Sequence, residues 1–95
     1  MASASQFRGK IRYFRPDLNA GLAVVDIPKT VATALGGLKQ MRVRGKLNGK
    51  DFSSNTMPAG GGVLALSLSR KLLSEAGHKV GDETEVELER ITPGG

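Results

Sequence analysis

Met41-Arg42-Val43-Arg44-Gly45-Lys46-Leu47-Asn48-Gly49 decides the class of fold. Apolar or small residues at 41, 43, 45 and 47 alternate with Arg42, Arg44 and Lys46. A period of two is the pattern of a strand with one buried and one wet face. Asn48-Gly49 then gives a strong two-residue hairpin signal, because a type I′ turn needs positive φ at both central positions. The chain doubles back, and residues 50–56 form the return strand with Phe52 its main inward side chain. Met57-Pro58-Ala59-Gly60-Gly61-Gly62 is expected to be a loop, since it combines a proline without a ladder donor and three consecutive glycines.

Working outward, the same logic finds more strands. Phe7, Gly9, Ile11 and Tyr13 alternate with Arg8, Lys10 and Arg12. A turn-rich connection follows over residues 15–21, and Leu22-Ala23-Val24-Val25-Asp26-Ile27 is a second strand, ended by Pro28. Thr30-Val31-Ala32-Thr33-Ala34-Leu35 reads as a short helix stopped by Gly36-Gly37. Downstream, Val63-Leu64-Ala65-Leu66-Ser67-Leu68 is a strand, and Ser69 caps a short helix over residues 70–76 that stops at Gly77. Val80-Gly81-Asp82 turns into a last strand, where Thr84, Val86 and Leu88 alternate with Glu83, Glu85, Glu87 and Glu89.

An internal repeat underlies this order. At a spacing of 41 positions, Val25-Asp26-Ile27-Pro28 faces Leu66-Ser67-Leu68-Ser69, and Leu35-Gly36 faces Ala76-Gly77. Each copy runs strand, short helix, glycine, strand. The expected fold is mainly β: a small closed or split β-barrel with two short helices, built from a pseudo-symmetric pair of strand-helix-strand units, in which closure removes exposed sheet edges. One domain spans residues 1–95, with 1–5 as a disordered N-terminal tail and 92–95 as a frayed C-terminus.

Composition bounds the chemistry. With 95 residues, 39% of them hydrophobic, the chain suits a single small core. The absence of cysteine excludes disulfides and thiolate metal sites and fits a reducing, cytoplasmic setting. No apolar run reaches the roughly 20 residues of a spanning helix, so no membrane partner is expected. The net charge of +5 is unevenly divided: residues 1–50 hold ten basic and two acidic side chains, and residues 51–95 hold four basic and seven acidic.

Candidate chemistry is sparse. His78, the one histidine, stands just after the second helix stop, where an exposed or capping role accounts for it. A lone histidine without cysteine does not make a zinc site, and no metal or cofactor is expected. The hydroxyls of Ser53-Ser54-Asn55-Thr56, Ser67 and Ser69 lack a nucleophile-elbow context, so no catalytic residue is assigned. Asp82 follows Gly81 at a turn and is expected to bond local backbone.

The ordered set Val43-Arg44-Gly45-Lys46-Leu47-Asn48-Gly49, Phe52, Met57-Pro58-Ala59-Gly60-Gly61-Gly62, Leu66-Ser67-Leu68-Ser69-Arg70-Lys71 and Gly77-His78-Lys79-Val80-Gly81-Asp82 resembles the DUF1905 family. That family comprises small β-barrel domains of unassigned function, and the resemblance implies a barrel across nearly the whole chain. The closing strand–helix–Gly-Asp–strand pattern is also similar, more weakly, to the swapped-hairpin barrels of the AbrB and MazE type. Members of that group are often dimeric DNA-binding proteins.

The leading functional reading is a small non-enzymatic binding or interaction module. Its candidate site is the run Gly60, Gly61 and Gly62, whose backbone N–H groups can cradle an anionic small molecule, with Lys50, Arg70 and Lys71 adding charge. The alternative is nucleic-acid binding through Arg8, Lys10, Arg12, Arg42, Arg44 and Lys46, with Phe14 on the basic face as a stacking platform. An enzyme of unknown class ranks third, and a homodimer fits the small core. One expectation discriminates among these. Opposite charges attract across neighbouring strands, so the glutamate strand should lie beside one basic strand or between both, which would neutralise the basic stripes.

Overall fold

The computed structural model describes residues 5–15 and 21–91. Six strands and two helices follow in the order β1 (Ser5–Tyr13), β2 (Ala23–Ile27), α1 (Lys29–Leu35), β3 (Arg42–Leu47), β4 (Lys50–Gly60), β5 (Val63–Leu68), α2 (Arg70–Ala76) and β6 (Glu83–Arg90). The strands close a barrel in the order β1-β2-β5-β4-β3-β6, with every neighbouring pair antiparallel. Of the expected closed or split barrel with two short helices, the closed form is the one observed. Val43, Leu47, Val86 and Leu88 all point inward and are at most 2% exposed.

The pairing register turns the internal repeat into a two-fold axis. Val25 stands opposite Leu66 in the β2–β5 pair, and Lys46 stands opposite Glu87 in the β3–β6 pair. In each case the two residues are 41 positions apart, so each sits across from its own counterpart. The axis therefore crosses the barrel through these two pairs. The helices leave from opposite ends, because α1 follows Ile27 and α2 follows Leu68 on antiparallel strands. Val31, Ala32 and Leu35 of α1 and Leu72, Leu73 and Ala76 of α2 turn down into the core and close those ends.

β1 and β4 are the corner strands, each shared between the two faces of the barrel. β1 pairs with β6 over residues 5–10 and with β2 over residues 11–13. β4 pairs with β3 over residues 50–55 and with β5 from Thr56 onward. The switch residues Ile11 and Thr56 are counterparts. They lie 45 positions apart, because Ile11 precedes Val25 by fourteen positions whereas Thr56 precedes Leu66 by ten. The same offset makes Phe7 and Phe52 counterparts, and both lie half-buried against the core.

Two expectations need correction. Met57, Pro58, Ala59 and Gly60 are not loop but the second half of β4, and only Gly61 and Gly62 form the turn into β5. Proline is tolerated there because the register shifts between Pro58 and Gly60, leaving Ala59 as an extra residue in a bulge. Ser5 opens β1 and is no part of a tail; the tail at residues 1–4, the frayed end at 92–95 and most of the turn at 16–20 lie outside the described residues. The helix signals were close. α2 spans Arg70–Ala76, Ser69 Oγ accepts the Leu72 N–H at 3.1 Å, and Gly77 adopts φ 73°. Gly36 stops α1, again at positive φ.

Candidate functional site

The charged stripes are the first feature to place. β6 lies between β1 and β3, so its glutamates face a basic strand on each side, with Arg8 opposite Glu85, Lys10 opposite Glu83, Lys46 opposite Glu87 and Arg44 opposite Glu89. The ion pairs are Arg8 with Glu83 at 3.3 Å, Arg44 with Glu89 at 2.6 Å and Lys46 with Asp51 at 3.4 Å. Across this face the charge alternates from β1 to β6 to β3 to β4. Exposed pairs of this kind contribute about 0–1 kcal/mol each, so their main effect is on register and surface potential.

The remaining members of the basic set are also dispersed. Arg12 grips Asp26 through Nε and a second nitrogen, with the closest approach 2.8 Å, and donates to the carbonyl of Tyr13. The hydrogen bond to Asp26 is the main cause of the rise in the Arg12 pKa above its ordinary value. Phe14 lies beyond the end of β1 and is half-buried, not displayed on the basic face as its alternation implied. Arg42 is exposed opposite Asn55. These side chains do not join into one positive field.

The glycine turn and its expected cations are likewise apart. Gly60, Gly61 and Gly62 all have positive φ, at 85°, 62° and 78°. Lys50 begins β4 and Gly60 ends it, so ten residues at about 3.3 Å place them roughly 30 Å apart. Arg70 and Lys71 begin α2, at the far end of β5 from the turn. The three cations thus share the end of the molecule opposite the glycines.

That end holds a cleft between the first half of β4 and α2. Leu22, Asp51, Phe52, Ser53, Ser54, Ser67, Ser69, Lys71, Leu72 and Glu75 line it, and its volume is about 380 Å³. It exists because β4 is still paired with β3 there and has not yet joined β5. Ser54 Oγ donates to the Ser67 carbonyl across the gap, and Ser69 Oγ is engaged as the α2 cap. Ser53 and Lys71 remain exposed, and Phe52 forms the apolar floor.

The other half of the barrel serves as an internal control. There Gly9 replaces Ser54, Asp26 replaces Ser67, Pro28 replaces Ser69, Thr30 replaces Lys71 and Ala34 replaces Glu75. A Cβ built on Gly9 would come within 2.6 Å of Val25 Cγ2, so the glycine lets β1 pack close against the Val25 side chain of β2. Elsewhere the halves keep their likeness. One groove about Phe7 is lined by Gln6, Arg8, Lys46 and Glu85–Glu87, and one about Phe52 by Asp51, Ser53, Glu87 and Arg44–Lys46.

His78 is half-buried and not exposed. Its backbone N–H caps α2 by donating to the Leu73 carbonyl at 2.9 Å. Its Nδ1 stands 3.4 Å from Asp82 Oδ2, and its Nε2 is buried without a partner. Asp82 fulfils its expected turn role by accepting the Lys79 N–H at 3.0 Å, which is the first cause of its carboxyl lying below the usual range. No group of three potential metal ligands gathers among the described residues, and no helix there is long and apolar enough to cross a membrane.

The family model described as Domain of unknown function (DUF1905) matches residues 7–88 of the chain. No curated protein matches it.

Proposed function

Since the chain belongs to the DUF1905 family, for which no activity is assigned, its function must be argued from its surface, and we propose that it is a small non-enzymatic binding module whose contact site is the α2–β4 cleft. The observation that carries this reading is the broken symmetry. The two halves share one scaffold and one register, yet among the described residues the α2–β4 seam holds a cleft lined by hydroxyls, Phe52 and Lys71 where the other half has Gly9, Asp26, Pro28 and Thr30 at the matching positions. The cleft has the composition of a recognition site, an apolar floor with a few convergent polar groups.

The serines support binding over catalysis. Activation of a hydroxyl needs an adjacent base, but Ser54 Oγ donates to a carbonyl, Ser69 Oγ is spent on the cap, and no histidine lines the cleft. The nucleic-acid reading loses its electrostatic footing, because interleaved glutamates neutralise the basic stripes locally, where phosphate binding needs an uncompensated field.

The test is a fragment screen by amide chemical shifts on the labelled chain. Hits should move the amides of residues 51–54 and 67–75 and leave their counterparts at 6–9 and 26–34 in place. Hits that cluster on the β1 side, or on the Gly61-Gly62 turn, would overturn the proposal.

A further inference from the structure

Building on the reading of the α2–β4 cleft as a contact site, we infer that its occupant is an extended, acidic polypeptide segment that adds as a strand to the outer edge of β4. The backbone supplies the first reason. In the two-residue β3–β4 hairpin, Leu47 and Lys50 form the closing hydrogen-bonded pair, and alternation gives Phe52 and Ser54 the same orientation toward β3. Asp51 and Ser53 therefore turn their N–H and C=O groups away from β3. The ladder to β5 begins only at Thr56, so among the described residues no strand stands against this edge. Both residues are exposed.

The setting is that of strand addition beside a helix. α2 forms the opposite wall through Lys71, Leu72 and Glu75. A peptide laid there gains main-chain bonds from the edge and side-chain contacts with Phe52 and the serines. Natural edges are usually blunted by long charged side chains or by close cover. The matching edge of β1 carries long side chains, Gln6 and the charged Arg8 and Lys10. The β4 edge carries only the short side chains of Asp51 and Ser53 over its open stretch.

Charge selects the partner's sign. Asp51 already pairs with Lys46. Lys71 lines the cleft, Lys50 and Arg70 adjoin it in sequence, and none of the three joins an ion pair among the described residues. Glu75 is the one opposing carboxylate left in the cleft. Within the lining Lys71 stands against Glu75 with Asp51 paired to Lys46, and Lys50 and Arg70, one position outside it in sequence, turn the balance of the neighbourhood positive and favour an acidic segment.

The experiment selects binders from a displayed library of nonapeptides with Val or Thr fixed at alternate positions, then titrates them into the labelled full chain. The selected peptides should be rich in Asp and Glu, move the amides of residues 51–54 and 67–75, and slow hydrogen exchange at Asp51 and Ser53. N-methylation of the peptide residues facing β4 should weaken binding about tenfold per lost bond, whereas N-methylation of the intervening residues should not. Ser53→Pro should abolish binding and Ser53→Ala should keep it within about twofold, since the bond comes from backbone. If Ser53→Pro does not fold, the N-methyl series decides alone. Failure to enrich any peptide, or a flat N-methyl series, overturns the inference. Should inorganic phosphate or small fragments still move the cleft amides in that case, the contact site stands and only its occupant is wrong. Selected peptides that map outside the cleft overturn both.

Discussion

Gly45→Ala is the sharpest test of the barrel's construction. Gly45 faces Leu88 across the β3–β6 pair, and the bonds Asn48 N–H to Glu85 and Ile91 N–H to Arg42 fix the even positions of β3 as the hydrogen-bonded ones. Gly45 is therefore at a non-bonded pair, where the two backbones approach most closely. A Cβ there would overlap the Glu87 carbonyl oxygen and lie 2.6 Å from its carbonyl carbon and 3.1 Å from Leu88 Cα. These are backbone atoms, so no side-chain rotation relieves the clash; β6 must move away from β3. Overpacking costs about 1–3 kcal/mol, and loosening the flanking Arg44–Glu89 and Lys46–Glu87 ladder bonds adds about 1 kcal/mol per bond weakened. The expected loss is roughly 3–5 kcal/mol. At about 4–8 °C per kcal/mol for a domain of this size, the melting temperature should fall by at least about 12 °C, and a chain with the modest stability of small domains should be largely unfolded when warmed. Circular dichroism melts and urea titrations give the number. Gly49→Ala is the control, because Gly49 has φ 82° but nothing within 4 Å of an added Cβ, so it carries only the left-handed cost of about 1–2 kcal/mol. If Gly45→Ala melts within a few degrees of the parent, or no lower than Gly49→Ala, the β3–β6 register is wrong.

Thr56→Val should cost about 2–4 kcal/mol in urea unfolding, because the buried Thr56 hydroxyl accepts the Met41 N–H at 3.0 Å and donates to the Lys39 carbonyl at 2.9 Å; Thr56→Ser, which keeps the hydroxyl, should lose much less. Ser69→Ala should remove about 1 kcal/mol by deleting the α2 cap, visible as a melting temperature lower by roughly 4–8 °C. Asp82 has a native pKa below the ordinary carboxylate value of 3.8, chiefly through the Lys79 N–H. The unfolded chain therefore binds a proton first as pH falls, so the stabilisation is present above about pH 4 and lost as pH drops through the native value. Asp82→Asn should flatten that part of the acid unfolding curve, and an unchanged acid slope would refute the assignment.

Much of this fold was legible because period-two alternation and hairpin chemistry act locally. Residues 41–49 identified strand and turn without any tertiary information, and the four alternating glutamates put β6 beside a basic strand through charge alone, while the structure shows it between two. Local signals misled where a distant partner decides. Pro58 and three glycines read as loop, yet pairing with β5 holds residues 57–60 in strand once a bulge absorbs Ala59. The expected grouping of the glycine run with its cations is absent from the fold for a related reason. Lys50, Arg70 and Lys71 flank the glycine run in sequence, but two full strands carry them to the other end of the barrel. The cleft itself arises where β4 changes partner, a tertiary event with no sequence motif. One signal was available. Extending the repeat into the first strand with its 45-position offset aligns Ser54 with Gly9, and that contrast marks the seam.

The two-fold scaffold also separates what the barrel needs from what it does not. Each corner must close the same gap. Ile11 donates to the Asp82 carbonyl at 2.9 Å and its counterpart Thr56 donates to the Met41 carbonyl at 2.8 Å, so the backbone requirement is met identically in both halves. The neighbouring groups are then satisfied by different means. Gly81 N–H bonds the Ile11 carbonyl in one half, while the Thr56 hydroxyl bridges Met41 and Lys39 in the other. Thr56 is polar because its corner uses that hydroxyl, and architecture accounts for it completely. Ser53, Lys71 and Glu75 differ from their counterparts Arg8, Thr30 and Ala34 without such an account: no corner bond, cap or ion pair among the described residues consumes their side chains. A barrel that closes equally well with arginine, threonine and alanine at those positions does not require serine, lysine and glutamate there. Closure of the barrel leaves their placement around that edge unaccounted for, and the proposed contact site rests on this contrast.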